Sequence, residues 1–299
     1  MIQVTNAAAC LAVRTFAANF YQQILYMSHI LVATDFSPVA DTAIHYACGL
    51  AKDFGTSVTI LHSFIIPVTF SDTPMPVMPL NEGREIAEER IKELADQLRA
   101  RYQGLEIKTR IMYGDLADCL EEYTEETTPW LTILGNSGTG NTSLWLGSNV
   151  LNVLKHARST VMAIPVEAVY KKPEKLCFAC DFRNIADHLQ TENLVQLARK
   201  TGAQLHVLNV GAHNRDDSGE MIVENTELHK ALSELKPVYH FVEKENVEEG
   251  IEEFIEANQM DWLIIVPHKH SFFESLFHKS HTKAIMQTVH IPLVAMHEH

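Results

Sequence analysis

The sequence predicts an α/β protein made of two tandem copies of one unit, each a mainly parallel five-stranded sheet with helices on both faces. Short runs rich in Val, Ile and Leu alternate with segments of helical apolar spacing along the chain. Strand alternating with helix implies right-handed crossovers between parallel strands. The two halves also match one another, and 299 residues suffice for two domains that each bury a core.

In the first copy, strand-like runs at 30–34, 57–62, 105–111, 130–134 and 160–164 are separated by helical patterns near 39–54, 83–101, 115–126 and 148–157. The second copy repeats the strands near 176–180, 204–210, 237–242, 262–266 and 292–296. His29 to Phe36 aligns with Lys175 to Phe182, so that Asp35 matches Asp181. After one inserted residue, Leu50, Ala51 and Gly55 match Leu197, Ala198 and Gly202, and Leu131 to Ile164 pairs without a gap with Leu263 to Met296. A repeat this long means duplicated domains rather than a solenoid. The short polar stretch Val166 to Lys175, with Pro173, is the expected linker and should hold the copies close together.

Two stretches stand outside this pattern. Ile65 to Leu80 carries Pro67, Pro74, Pro76 and Pro79, which block helix, so an extended or looped segment is expected: a plain connection, a lid or a surface for a partner. Residues 1–26 are moderately apolar but broken by Arg14 and Gln22-Gln23, too short for a membrane span and without the basic start of a secretion signal. Met27 feeds the first strand and reads as a natural start, so 1–26 are expected to be an extension or disordered. The domains are then 27–168 and 173–299.

A net charge of −14 with scattered Lys and Arg argues against nonspecific nucleic-acid binding. The odd count of 5 cysteines points to a reducing cytoplasm. Cys177-Phe-Ala-Cys180 lies in a strand-like run, where residues three apart face opposite sides, so two structural thiols are expected rather than a redox pair.

Ligand chemistry is expected at the carboxyl ends of the first and fourth strands. Gly135 and Gly138 allow positive φ and close backbone approach, so that successive N–H groups can face an anion. Gly147-Ser148 opens a helix whose amino-terminal donors favour phosphate, with the Ser148 hydroxyl as a further donor or a cap. Asp35, at a strand end, suits a ribose hydroxyl. The second copy has Pro267, His270 and Lys279 where the first has glycines, and keeps a serine at Ser280, so the backbone cradle is lost there.

Together, Asp35-Phe36-Ser37, Leu61-His62, Gly135-x2-Gly138 and Gly147-Ser148 resemble the ATP-binding branch of the universal stress protein family. The likeness covers residues 28–299 as a tandem pair. The 8 residues between Gly138 and Gly147 are a shorter spacing than the family's. The resemblance implies Rossmann-like (adenine nucleotide alpha hydrolase-like) domains of strand order 3-2-1-4-5, paired through their last strands. It implies ATP in the first domain, held by Asp35, the backbone near Ser63, Gly135, Gly138, Gly147 and Ser148. It also implies a cytoplasmic stress-response module that meets an unknown protein partner, with the two domains paired within the chain and a homodimer as a further state. No membrane or nucleic-acid partner is expected.

Catalytic signatures are absent: no phosphate loop ending in Gly-Lys-Ser/Thr, no nucleophile elbow, no zinc helix. Glu121, Glu122, Glu125 and Glu126, like Glu248, Glu249, Glu252 and Glu253, have the spacing of solvated helix faces. His268, His270, His278, His281, His290, His297 and His299 crowd the last segment but lack the thiols and carboxylates of a plausible metal shell, so no metal is expected. Two alternatives stay open: a slow ATPase or nucleotide-transforming enzyme, and an interaction protein in which neither site binds.

Overall fold

The computed structural model describes residues 29–65, 80–136, 150, 152–154, 157, 159–180, 191–211, 227–266 and 290–296. The first half runs β1 (His29–Ala33), α1 (Pro38–Phe54), β2 (Ser57–Phe64), α2 (Leu80–Arg101), β3 (Ile107–Tyr113), α3 (Leu116–Thr127), β4 (Leu131–Asn136) and β5 (Val161–Pro165). The second runs β6 (Lys175–Ala179), α4 (Thr191–Thr201), β7 (Gln204–Gly211), α5 (Glu227–Leu232), β8 (Val238–Glu243), α6 (Val247–Asn258), β9 (Trp262–Ile265) and β10 (Leu293–Ala295). Each expected strand coincides with an observed one. Residues 1–26 and the interior of the proline-rich stretch lie outside the described residues.

Local chemistry sets the helix ends. Ser37 Oγ accepts the Ala40 N–H at 3.2 Å, and Pro38 takes a first-turn place that needs no N–H. Gly55, at φ 65°, ends α1 in the left-handed region. Asp115 and Asn246 cap the equivalent helices α3 and α6 through their side-chain oxygens.

The strands form one ten-stranded sheet in the order β3-β2-β1-β4-β5-β10-β9-β6-β7-β8. Each half therefore has the order 3-2-1-4-5, parallel throughout, and the halves meet where β5 and β10 pair antiparallel, Leu293 against Ala163 and Ala295 against Val161. Both faces are covered, as a parallel sheet requires. One apolar layer runs through Ile44 and Leu50 of α1, Ile91 and Leu98 of α2, and Leu194 and Leu197 of α4. The other runs through Leu120 and Tyr123 of α3, Leu154, and Ile251 and Phe254 of α6. Cys180 falls in the first layer and Cys177 in the second, as period-two alternation predicts. Burial pushes the Cys177 thiol up to about 12, which leaves it without thiolate character.

The linker is sewn to both halves. Asp261, buried at the start of β9, accepts the N–H groups of Glu174 at 2.7 Å and Lys175 at 2.9 Å, and pairs with Lys171 at 2.5 Å. Tyr170 lies on α1, where a Cβ at Gly49 would sit 2.5 Å from its ring, and its hydroxyl donates to Asp53 at 2.7 Å. Trp262 then donates across the junction to the Tyr46 hydroxyl at 2.6 Å. Its counterpart in the first half, Trp130, stacks on Phe54 at 5.5 Å, and its indole N–H finds no acceptor among the described residues.

Candidate functional site

β1 lies between β2 and β4, and the chain leaves these two central strands toward opposite faces. From β1 it enters α1, in the layer of Ile44 and Leu50; beyond β4 the helical residues Val150, Val153 and Leu154 belong to the layer of α3. Such a reversal opens a crevice at the carboxyl ends of the strands.

Asp35, Ser63 and Gly135 stand at the carboxyl ends of β1, β2 and β4, three adjacent strands. Asp35 is exposed, and its carboxylate accepts the Ser37 N–H at 2.9 Å. Ser63 is half-buried and pairs with Met112 of β3 in the strand register. Gly135 is buried and pairs with Ile164. The glycines with positive φ among the described residues are Gly55, Gly104, Gly114 and Gly202, so Gly135 does not use that freedom. A Cβ there would lie 2.7 Å from the Val39 carbonyl oxygen and 2.8 Å from Val39 Cγ1. Glycine at 135 therefore admits the first turn of α1: of the two freedoms expected of it, close backbone approach is used and positive φ is not. Gly138, Gly147 and Ser148 lie outside the described residues, as do Asp181, Pro267, His270, Lys279 and Ser280 of the second copy.

A turn of hydrogen bonds and rings holds Asp35. Thr34 Oγ1 accepts the Phe36 N–H at 3.0 Å, and the Thr34 N–H donates to the Leu61 carbonyl at 2.8 Å. Phe36 has φ 60°, a left-handed conformation that costs a residue with a Cβ about 1–2 kcal/mol. Its ring meets that of His62 at 4.5 Å and has the Arg90 guanidinium 4.4 Å above it. His62 Nδ1 is 2.7 Å from the Thr34 carbonyl oxygen. A carbonyl only accepts, so Nδ1 carries the proton, and in the neutral ring Nε2 is left as an acceptor. Burial lowers the His62 pKa, outweighing the Thr34 carbonyl and Asp35, which raise it, and Arg90 lowers it further.

Sequence reasoning found Asp35, Ser63 and Gly135 but gave Phe36, His62 and Arg90 no role at the site. The equivalence of His62 with Asn209 was a usable signal, since both side chains can donate. Arg90 had none, because its meeting with Phe36 depends on how α2 folds back over the sheet.

The second half repeats the backbone arrangement with other residues. The Cys180 N–H donates to the Leu208 carbonyl at 2.9 Å, and Asn209 Nδ2 donates to the Cys180 carbonyl at 3.0 Å. Val210, buried, replaces Ser63, and Gly250 of α6 makes room for it: a Cβ at Gly250 would lie 2.5 Å from Val210 Cγ1. Cys119 is the residue of α3 that corresponds to Gly250. Among the described residues no three His, Cys, Asp or Glu side chains group as a metal shell, and no helix is long and apolar enough to cross a membrane. Glu121, Glu122, Glu125 and Glu126 are exposed on α3.

The sequence model of the universal stress protein family matches residues 27–165 and again 174–297. The chain belongs to the universal stress protein family. A universal stress protein from Archaeoglobus fulgidus aligns at a TM-score of 0.67 and 17% identity, over 90% of this chain and 98% of that one. A functionally unknown protein from Pseudomonas aeruginosa aligns at a TM-score of 0.58 and 14% identity, over 92% of this chain and 94% of that one. At these identities the likeness is one of fold. A comparison with curated proteins finds no match. As a universal stress protein, this molecule carries two family units in one chain.

Proposed function

We propose that this universal stress protein binds ATP in its first domain and acts as a nucleotide-responsive signalling module of the cytoplasm, without efficient catalysis. What supports this reading is that Asp35 and Gly135 stand at the carboxyl ends of β1 and β4, where the chain reverses, with Ser63 at the end of the adjacent β2. In this reading Asp35 accepts from a ribose hydroxyl and the backbone at Ser63 borders the base. Gly135, Gly138 and Gly147 bring backbone close to the phosphates, and Ser148 adds its hydroxyl. The second domain serves pairing and stability, and a protein partner reads the nucleotide state. Two states with different nucleotide affinity are required for such a response.

The deciding experiment identifies the small molecule that co-purifies with the protein, by mass spectrometry after denaturation, alongside thermal shifts on adding ATP. Bound ATP and a positive shift are expected, with Gly138→Val abolishing both. Bound ADP or another product would replace the signalling reading by a slow ATPase. No bound nucleotide and no shift would end it.

A further inference from the structure

We propose that Arg90 and His62 are positioning residues for Asp35, acting through the Phe36 ring that both contact; this deepens the nucleotide reading and rests on Asp35 being part of the site.

Phe36 links β1 to α1 in a conformation that its own side chain disfavours, so something outside the turn must hold it there. The hydrogen bonds of the turn are local: Thr34 Oγ1 takes the Phe36 N–H and Asp35 Oδ1 the Ser37 N–H. The ring contacts are not. His62 comes from β2 and Arg90 from α2, so Phe36 is held between two separate elements, at 4.5 Å and 4.4 Å.

Arg90 differs from Arg84 and Arg99 of its helix. Arg84 pairs with Glu88 at 2.7 Å and Arg99 with Asp96 at 2.8 Å, ordinary neighbours on a helix surface. Arg90 makes no ion pair among the described residues and lies instead over the Phe36 face. His62 acts twice, packing its tilted ring against that of Phe36 and tying the Thr34 carbonyl through Nδ1. Asp35 lies between the two residues so restrained. Loss of these ring contacts lets Phe36 relax toward negative φ, which shifts the adjoining Asp35 carboxylate.

The test joins amide hydrogen exchange at Phe36 and Ser37 with ATP titration by calorimetry, in the full-length protein and in Arg90→Ala and Arg90→Lys. Arg90 is exposed, so these variants keep the fold. Arg90→Ala is expected to speed exchange at both amides and to weaken ATP binding, each about 2- to 5-fold, the range of an exposed cation–π contact. Exchange within β1 stays unchanged, and Arg90→Lys recovers most of both effects. Equal exchange at the two amides in Arg90→Ala and wild type overturns the positioning role, whatever ATP does. So does faster exchange with ATP affinity unchanged. Faster exchange in Arg90→Ala when the wild type binds no ATP keeps the restraint on Phe36 and removes the nucleotide reading instead.

Discussion

His62 in the first domain and Asn209 in the second occupy equivalent places, and each donates a side-chain N–H to the carbonyl just beyond the first strand, at 2.7 Å and 3.0 Å. One residue further along, the domains part. Ser63 is half-buried, whereas Val210 is buried and fits against a glycine, Gly250, where the first domain has Cys119. Duplication has thus kept the backbone support, through chemically different donors, while the second copy has filled with apolar volume a place that the first leaves polar. The loss of glycines at Pro267, His270 and Lys279 has a companion in the packing beneath the sheet.

The largest effect tests whether the two domains are compared within one rigid frame. Asp261→Ala leaves the half-buried N–H groups of Glu174 and Lys175 without their charged acceptor, at about 1.5–3 kcal/mol, the range of hydrogen bonds to a charged group. Urea denaturation at pH 7 should show this as a lower midpoint, and a variant as stable as wild type would mean that the linker is not held by this residue. Lys171 and the two backbone donors hold the Asp261 carboxyl below its ordinary value of 3.8, against a rise from burial. Its stabilising share is therefore full above that value and is lost as pH falls through the lower, folded-state pKa.

Next comes the glycine of the first domain. Gly135→Ala meets the backbone of Val39 and should destabilise the ligand-free protein by about 1–3 kcal/mol. An unchanged ligand-free midpoint would show that the glycine serves a ligand alone. Gly250→Cys, which imports the first domain's residue into the second, meets a side chain rather than backbone and should cost less. Adding Val210→Ser should relieve part of that cost, a coupling readable in a double-mutant cycle. Strict additivity would break the claim that strand and helix exchanged sizes together.

The smallest effect concerns the shared donor. His62→Asn keeps the donor but loses the ring beside Phe36 and should cost less than His62→Leu, which loses the donor as well and should cost about 0.5–1.5 kcal/mol. The two domains also differ in acid response at this position. The folded-state pKa of His62 lies below its ordinary value of 6.5, so the unfolded chain binds the proton more readily. Stability is full above pH 6.5 and falls as pH drops through the folded-state value. His29, His45, His206 and His240 shift in the same direction, chiefly through burial, and add to the loss. In His62→Asn the acid loss should be smaller by the share of one residue; an identical pH profile would show that His62 does not titrate with folding.

Much of the frame was legible in the residues. Val, Ile and Leu runs such as Ile30 to Val32 and Leu263 to Ile265 signal strands because side-chain alternation is local, and Ser37-Pro38 and Gly55 mark the limits of α1 by their own backbone preferences. Asp35 and Ser63 could be named because strand ends are where a parallel sheet exposes its crevice. Gly135 was found for a reason the fold revised: its neighbour Val39 is distant in sequence and meets it once α1 packs on β4.

The sequence by itself determined the alternation of strand and helix, the duplication, and the asymmetry of the two glycine loops, since each depends on residues close together or on one copy compared with the other. The pairing through β5 and β10 agrees with what the family likeness implied, whereas only the tertiary structure decided its antiparallel register, that Asp261 holds the linker, and that Arg90 lies over Phe36. These contacts join residues far apart in the chain, and which of them meet depends on the order in which the strands assemble, a property no local spacing encodes.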